Sequence, residues 1–250
     1  MIVKWRKHLM TEKIAQLKAW VDQASAIVFF GGAGVSTESG IPDFRSTGGL
    51  YHQEWKDPPE EILSHTYYKS NPEEFFRFYR AKMLAPEARP NAAHRKLAQW
   101  EAQGKLKAVV TQNIDGLHQA AGSKNVLELH GGVLRNYCMD CSKFFDARYV
   151  KDAEGVPRCD KCGGMVKPDV VLYEEALDGA TLDRAAVAIE QADLLIVGGT
   201  SLAVYPAAGL LRYYRGDRLV LINLTPTPYD GRADLVIHGR IGEVLGKMKV

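Results

Sequence analysis

The sequence predicts an α/β protein, a doubly wound and mostly parallel sheet that carries one small insert and one helical module. Three observations predict it. Short apolar runs alternate with stretches of helical periodicity along most of the chain. Most of these runs end in glycine or in a polar side chain, as strands of a parallel sheet do where a ligand binds. All four cysteines fall in one segment that interrupts the alternation.

Residues 11–24 put Ile14, Leu17, Trp20 and Val21 on one helical face. Ala26–Phe30 then reads as a buried strand, and Gly31, Gly32 and Gly34 let the backbone turn sharply and approach a ligand. Ser36 and Thr37 are good N-caps, so a helix start with free N–H groups is expected at the same spot, completing a cradle for a phosphate. A tight turn with no ligand is the plainer reading. Asp43, Phe44 and Arg45, following at once, weigh against it. An ordinary dinucleotide fingerprint would need glycine where Thr37 stands and an acid about 20 residues further on at a strand end, and both are missing.

Residues 46–60 read as a loop of the kind a ligand orders. Residues 60–84 and 91–103 read as helices, with Phe75, Phe76, Phe78 and Tyr79 as core. The strand Lys107–Thr111 is followed by Gln112, Asn113, Ile114 and Asp115. The strand Val126–Leu129 ends at His130 and Gly131. Pro168 begins an expected return to the sheet at Asp169–Tyr173. A helix over 180–191 leads to the strand Asp193–Val197 and a second cradle, Gly198-Gly199-Thr200-Ser201. A helix over 206–215, a strand Leu219–Ile222 ending in Asn223, a strand Asp234–His238 and a helix from about Gly242 complete the pattern.

In one parallel sheet these polar strand ends share an edge and can converge on one extended ligand. Two glycine cradles suit the pyrophosphate and ribose of a dinucleotide, and Gln112, Asn113 and Asp115 can bond ribose hydroxyls or a carboxamide. His130 is the strand-end histidine of this group, and an imidazole titrating near neutrality suits a general base. His8 and His52 read as surface, His65 and His94 as helix or loop, and His238 as a strand edge.

Cys138, Cys141, Cys159 and Cys162 make two C-x2-C pairs seventeen residues apart, the spacing of a four-thiolate zinc site. Neither pair opens a helix as a redox pair would. Four thiolates leave no open position, so the zinc is expected to be structural. No G-x-S-x-G elbow is present, so the electrophile has to come from a cofactor. The insert, 134–168, has near-balanced charge, and direct nucleic-acid binding is not expected. The layout is thus a Rossmann-like dinucleotide domain over 1–133 and 169–250, with a helical module at about 46–104 and the zinc-binding insert at 134–168.

With 46% hydrophobic and 25% charged residues in 250 and a net charge of +2, the composition is that of a globular protein with a sizeable core. No apolar run approaches the roughly 20 residues of a membrane span. Met1–Leu9 is basic but lacks a signal-peptide core, so a cytoplasmic protein is expected, with Met10 as an alternative start.

The run Gly32-Ala33-Gly34-Val35-Ser36-Thr37-Glu38-Ser39-Gly40-Ile41-Pro42-Asp43-Phe44-Arg45 closely resembles the cofactor-loop signature of the sirtuins, NAD-consuming protein-lysine deacylases. Thr111–His118, His130-Gly131, the cysteine pairs, Gly199–Leu202, Pro206–Ala208 and Asn223 extend the resemblance from about 25 to 245. It implies that Gly32, Ala33, Gly34, Thr37, Phe44 and Arg45 line an NAD site. It implies Ile114 and Asp115 on the nicotinamide carboxamide and Gln112 and Asn113 on its ribose. Gly199, Thr200, Ser201, Asn223 and Ile241 would meet the adenosine half.

The implied reaction is attack of the acyl-lysine oxygen on the ribose C1′, expelling nicotinamide. His130 then acts as base on a ribose hydroxyl, giving free lysine and O-acyl-ADP-ribose, and Asn113 is counted with His130 in the catalytic pair. The acetylated-lysine protein substrate would lie as an added strand between Val171, Leu172 and Tyr173 on one side and Val204 on the other. Relatives often have glycine where this chain reads Glu174. Relatives that remove acidic acyl groups carry Tyr-x-x-Arg, which aligns with Phe76 and Tyr79 here, so acetyl or another neutral acyl group is expected. Mono-ADP-ribosyl transfer, a zinc-ribbon nucleic-acid binder and an NAD-dependent oxidoreductase are the rival readings.

Overall fold

The structure is a computed structural model that describes residues 2–44, 46, 48–52 and 55–248. Six strands form the main sheet: β1 (Ile27–Gly31), β2 (Leu106–Thr111), β3 (Val126–Glu128), β7 (Leu194–Gly198), β8 (Leu219–Asn223) and β9 (Leu235–His238). Their order is β3-β2-β1-β7-β8-β9, and every neighbouring pair is parallel. The chain winds outward from β1 in one direction and from β7 in the other. The switch point therefore lies between β1 and β7, where Gly31 pairs with Gly198.

Strand parity sorts the side chains. Ile27 and Phe29 enter one core with Leu17, Val21, Leu97, Trp100, Ile196 and Val244, beneath the helices Ile2–Gln23, Ala92–Ala102 and Ile241–Gly246. Val28 and Phe30 enter the other with Ala185, Ile189, Leu195, Val197 and Leu211, beneath the helix Gly179–Glu190 and the 3-10 turn Ala207–Tyr213. Each fully buried aliphatic side chain here contributes about 1.5–3 kcal/mol. No described helix is long and apolar enough to cross a membrane.

A second, antiparallel sheet of order β5-β4-β6 is made by β4 (Gly131–Cys138), β5 (Phe144–Asp146) and β6 (Val166–Val170). This corrects the expected return to the main sheet at Asp169–Tyr173. Buried Val166, Pro168 and Val170 alternate with half-buried Lys167 and Asp169. That period of two suits a one-sided antiparallel strand and not the continuous apolar run of a buried parallel one. Pro168, which has no N–H, sits on an edge strand where none is required.

The expected helix over 60–84 is three helices, Pro59–Ile62, His65–Ser70 and Pro72–Phe78, and a π-turn at Tyr79–Met83. Ser64 restarts the chain by accepting the Tyr67 N–H, and Pro72 forces the next start. Phe75, Phe76, Phe78 and Tyr79 are buried as expected. They share one core with Val133, Phe145, Val150, Val166 and Leu172, so the helical module and the small sheet pack as a unit.

Candidate active site

The turn after β1 is tighter than expected. Two 3-10 turns, Ala33–Val35 and Thr37–Ser39, replace the α-helix start, and neither has a side-chain cap. Thr37 Oγ1 donates instead to the Gly34 carbonyl at 3.0 Å. This turn and the one after β7 are locked together by the Gly34 N–H on the Gly199 carbonyl at 2.8 Å. A Cβ at Gly34 would sit 2.8 Å from the Gly199 Cα, and one at Gly199, whose φ is +62°, would sit 2.3 Å from the Val35 nitrogen. The two cradles are thus one surface, and it requires glycine at both points of approach.

Polar strand ends converge around it. Gln112 donates its N–H to the Gly31 carbonyl and its Nε2 to Thr200 Oγ1 at 3.1 Å. The Asn113 Nδ2 donates to Ser36 Oγ at 3.0 Å, and Ser36 Oγ donates to Asp115 Oδ2 at 2.6 Å. Asp115 Oδ1 accepts the Leu117 N–H, which fixes the carboxylate from both sides. Asn223 Oδ1 accepts the Thr200 N–H at 2.9 Å, while its buried Nδ2 has no partner among the described residues. A buried donor left over at the edge of a cavity is a place for a ligand acceptor.

His130 follows β3, and Gly131 turns the chain there with φ +71°, so close to Asp169 that a Cβ would meet its carbonyl oxygen. The His130 Nδ1 lies 2.9 Å from the Gln112 carbonyl. A carbonyl only accepts, so Nδ1 carries the proton and Nε2 keeps its lone pair. Burial pushes the His130 pKa down, partly opposed by the Gln112 carbonyl. The ring is held neutral, as a base must be.

All these groups line one cavity of about 1390 Å³. It takes in Gly32, Ala33, Gly34, Thr37, Phe44, Gln112, Asn113, Ile114, Asp115 and His130 from one side of the switch point. Gly199, Thr200, Ser201, Asn223 and Ile241 enter from the other, and Val171, Leu172, Tyr173 and Val204 also line it. Of the site residues expected from sequence, Arg45 alone lies outside the described residues. None of the four cysteines lines the cavity; their Sγ atoms all lie within 4.8 Å of one another, with Cys138–Cys162 at 3.4 Å and Cys141–Cys159 at 3.6 Å. Four thiolates at about 2.3 Å from one ion fit that spacing.

A profile of the Sir2 family matches residues 32–206. The chain belongs to the Sir2 family. It is 62% identical over 240 residues to an NAD-dependent protein deacetylase of Clostridium acetobutylicum, covering 95% of this chain and 98% of that one. A solved structure from work on the mechanism and regulation of Sir2 enzymes superposes with a TM-score of 0.85 at 41% identity, covering 95% and 96% of the two chains. A Sir2 structure holding a deacetylated p53 peptide and 3′-O-acetyl-ADP-ribose is 38% identical with a TM-score of 0.84, covering 93% and 95%.

In this Sir2 chain one site member and one buried neighbour of the site escape sequence reasoning. Ser36 reads there as a cap, yet its hydroxyl joins Asn113 to Asp115. The available signal was its place inside the same run as Gly34 and Thr37. His94 reads as helix or loop, but it is fully buried against His118, ring centroids 4.7 Å apart. Nothing local in the sequence marks that meeting.

Proposed function

We propose that the chain is an NAD-dependent protein-lysine deacetylase, moving the acyl group from acyl-lysine to ADP-ribose and releasing nicotinamide and O-acyl-ADP-ribose. The observation that carries this reading is the geometry of His130, with Nδ1 committed to the Gln112 carbonyl beside a cavity lined by two glycine turns. The residues fit NAD: the two glycine turns are locked together and line one cavity, and the unpartnered Asn223 Nδ2 awaits an acceptor on the adenosine side. Bound there, NAD supplies the electrophilic ribose carbon and receives the acyl group.

The chain's own residues do the rest. Asp115, fixed by Ser36 and the Leu117 N–H, holds the carboxamide together with Ile114. Gln112 and Asn113 hold the nearer ribose, and His130 Nε2 takes the proton from its hydroxyl. Thr200, Ser201 and Ile241 hold the far half. Val171–Tyr173 and Val204 receive the peptide. Four cysteines hold a structural zinc that keeps β4, β5 and β6 together, and the unit boundaries are taken as 1–133 with 169–250, and 134–168. Phe76 and Tyr79 are sealed in the core, which favours acetyl or another neutral acyl group. Cysteines that form no disulfide suit a cytoplasmic setting.

Mass spectrometry of an acetyl-lysine peptide incubated with and without NAD tests the reading. NAD-dependent loss of acetyl with O-acetyl-ADP-ribose formed is the expected result. NAD hydrolysed over an intact peptide would shift the assignment to ADP-ribosyl transfer, and untouched NAD would overturn it. Faster turnover of succinyl- than of acetyl-lysine would overturn the neutral-acyl assignment alone.

A further inference from the structure

The helix Ile241–Gly246 starts without a cap of its own. Arg240 stands at its N-cap with an extended backbone, and its side chain makes no capping bond. A guanidinium carries donors only, so it has nothing to offer the free N–H groups of the first turn. The acceptor comes from the other end of the chain. Glu38, on the 3-10 turn Thr37–Ser39, takes the Gly242 N–H on Oε2 at 2.6 Å, from 204 positions away in sequence. A carboxylate is also the favourable charge at a helix N-terminus. Gly242 makes the approach possible, because a Cβ there would sit 2.6 Å from the same oxygen.

What this bond holds in place is a wall of the cavity. Gly239, Arg240 and Ile241 line it, whereas Glu38 does not. The segment is suspended at two points. At one end the Gly239 N–H donates to the Asn223 carbonyl at 3.0 Å, and at the other Glu38 takes the Gly242 N–H. Between them Ile241 is buried against the end of β7, so close that a Cβ at Gly198 would overlap its Cδ1. Groups on the opposite side of the switch point have anchors of their own. Asp115 is held by Ser36 and the Leu117 N–H, and His130 is held by the Gln112 carbonyl.

We propose that Glu38 is a positioning residue for the adenosine end of the dinucleotide. It acts through Ile241, by fixing the first turn of the helix that carries this side chain and so seating it on Gly198. The inference rests on the NAD reading above and adds a residue outside the cavity that sets one half of it. With the wall held before the dinucleotide arrives, less ordering has to accompany binding. Loss of the carboxylate should therefore weaken the hold on NAD and leave the chemical step alone.

Glu38→Ala removes the acceptor, Glu38→Gln keeps one of the same reach, and Gly242→Ala pushes the carboxylate away from the other side. Hydrogen exchange on the free chain reads the bond without catalysis: the Gly242 amide should exchange about tenfold faster in E38A, with β1 and β7 amides unchanged. Calorimetry with ADP-ribose should show a Kd raised about three- to tenfold in E38A and in G242A, the loss expected of one cap. E38Q should stay within about twofold of wild type, since its carbonyl still accepts. The double variant should match E38A, because one contact is removed either way. In steady state the KM for NAD should rise by the same factor, with kcat and the KM for an acetyl-lysine peptide within about twofold. If E38A does not fold, G242A carries the same test. Unchanged exchange or an unchanged ADP-ribose Kd overturns the inference, and so does an E38Q as weak as E38A. A joint change in kcat and both KM values overturns it as well, since that marks a merely structural residue. A wild-type chain that binds no ADP-ribose overturns the NAD reading and the inference with it, whereas equal binding by wild type and E38A overturns the inference alone.

Discussion

Two places in this molecule bury imidazole, and they do so to opposite ends. His130 has Nδ1 on the Gln112 carbonyl and Nε2 at a cavity. His94 and His118 face each other at 4.7 Å in a sealed contact between the helices Ala92–Ala102 and Leu117–Ala120. His94 Nδ1 accepts the Asn91 N–H, but His94 Nε2 and both nitrogens of His118 find no partner among the described residues. Burial lowers the pKa of all three. For His130 this produces a neutral base beside a substrate cavity. For the pair it produces a stability that depends on the absence of protons.

The pair is not idle. The Asn91 side chain donates to the Val35 carbonyl at 2.7 Å and Ser39 Oγ at 3.0 Å, so the helix that carries His94 is anchored to the turn after β1. His118 lies three residues after Asp115 and packs on Phe29 of β1. The pair therefore braces β1 and the turn that follows it. Its rings make no contact with the cavity itself.

The sharpest way to break the comparison is to remove each kind of imidazole in turn. His130→Ala should lower deacetylation by about 10²- to 10⁴-fold, the usual contribution of a positioned general base. Binding of NAD, read by fluorescence quenching or calorimetry, should change little, because the cradle residues are untouched. A variant that loses NAD binding and activity together would move His130 from chemistry to structure.

Acid should separate the two sites next. Burial brings His94 to about 4, against a smaller raising influence of Asp115 and a lowering one of Arg95, and brings His118 to about 3 with His94 adding to the depression. Above pH 6.5 neither the folded nor the unfolded chain protonates them, and they cost nothing. Below 6.5 the unfolded chain takes up protons that the folded chain refuses, so stability falls as pH falls. Each histidine costs up to about 1.4 kcal/mol per pH unit until its folded pKa is reached. Between pH 6.5 and 4 the loss is a large share of the roughly 5–15 kcal/mol that holds a domain together. Urea unfolding at stepped pH measures it. A stability flat from 7 to 4 would mean the pair is hydrated or partnered.

Catalysis should bend separately. The base form of His130 is the neutral one, and burial sets its pKa below 6.5. The rate should therefore be level above pH 6.5 and fall about tenfold per unit below the bend. The bend has to lie on the acid side of 6.5. A bend above it would require a neighbouring anion that the geometry does not show, or a different titrating group.

How much of this contrast the sequence could show depends on distance along the chain. His130 was legible because it stands at a strand end released by Gly131, near the polar run that opens at Gln112. The cysteines were legible because four ligands in two pairs specify their own geometry. The parallel sheet was legible because apolar runs such as Phe29-Phe30 and Leu195–Val197 have no amphipathic alternative. The segment 169–173 was misread because Val170, Val171 and Leu172 look like a buried run. Only the partner strand, Gly131–Cys138, reveals that the strand pairing stops at Val170, and Val171, Leu172 and Tyr173 line the cavity instead. The meeting of His94 with His118 was invisible, since it is made by two helices packing and each ring alone looks like an ordinary helix residue.

The smallest effect sharpens the comparison most. His118→Phe replaces an imidazole with two unpartnered nitrogens by an apolar ring in a site that already holds Phe29 and His94. Removing buried polar atoms that have no partner is neutral or stabilising when the replacement fits. Stability at pH 7.5 should thus hold or rise by about 1 kcal/mol, and the acid loss between pH 6.5 and 4 should shrink by roughly half, since one of two titrating groups is gone. The activity bend should stay where it was, because His130 is untouched. If the same substitution moves the pH–rate bend, the two sites titrate as one. The pair would then be part of the catalytic machinery and no longer its brace.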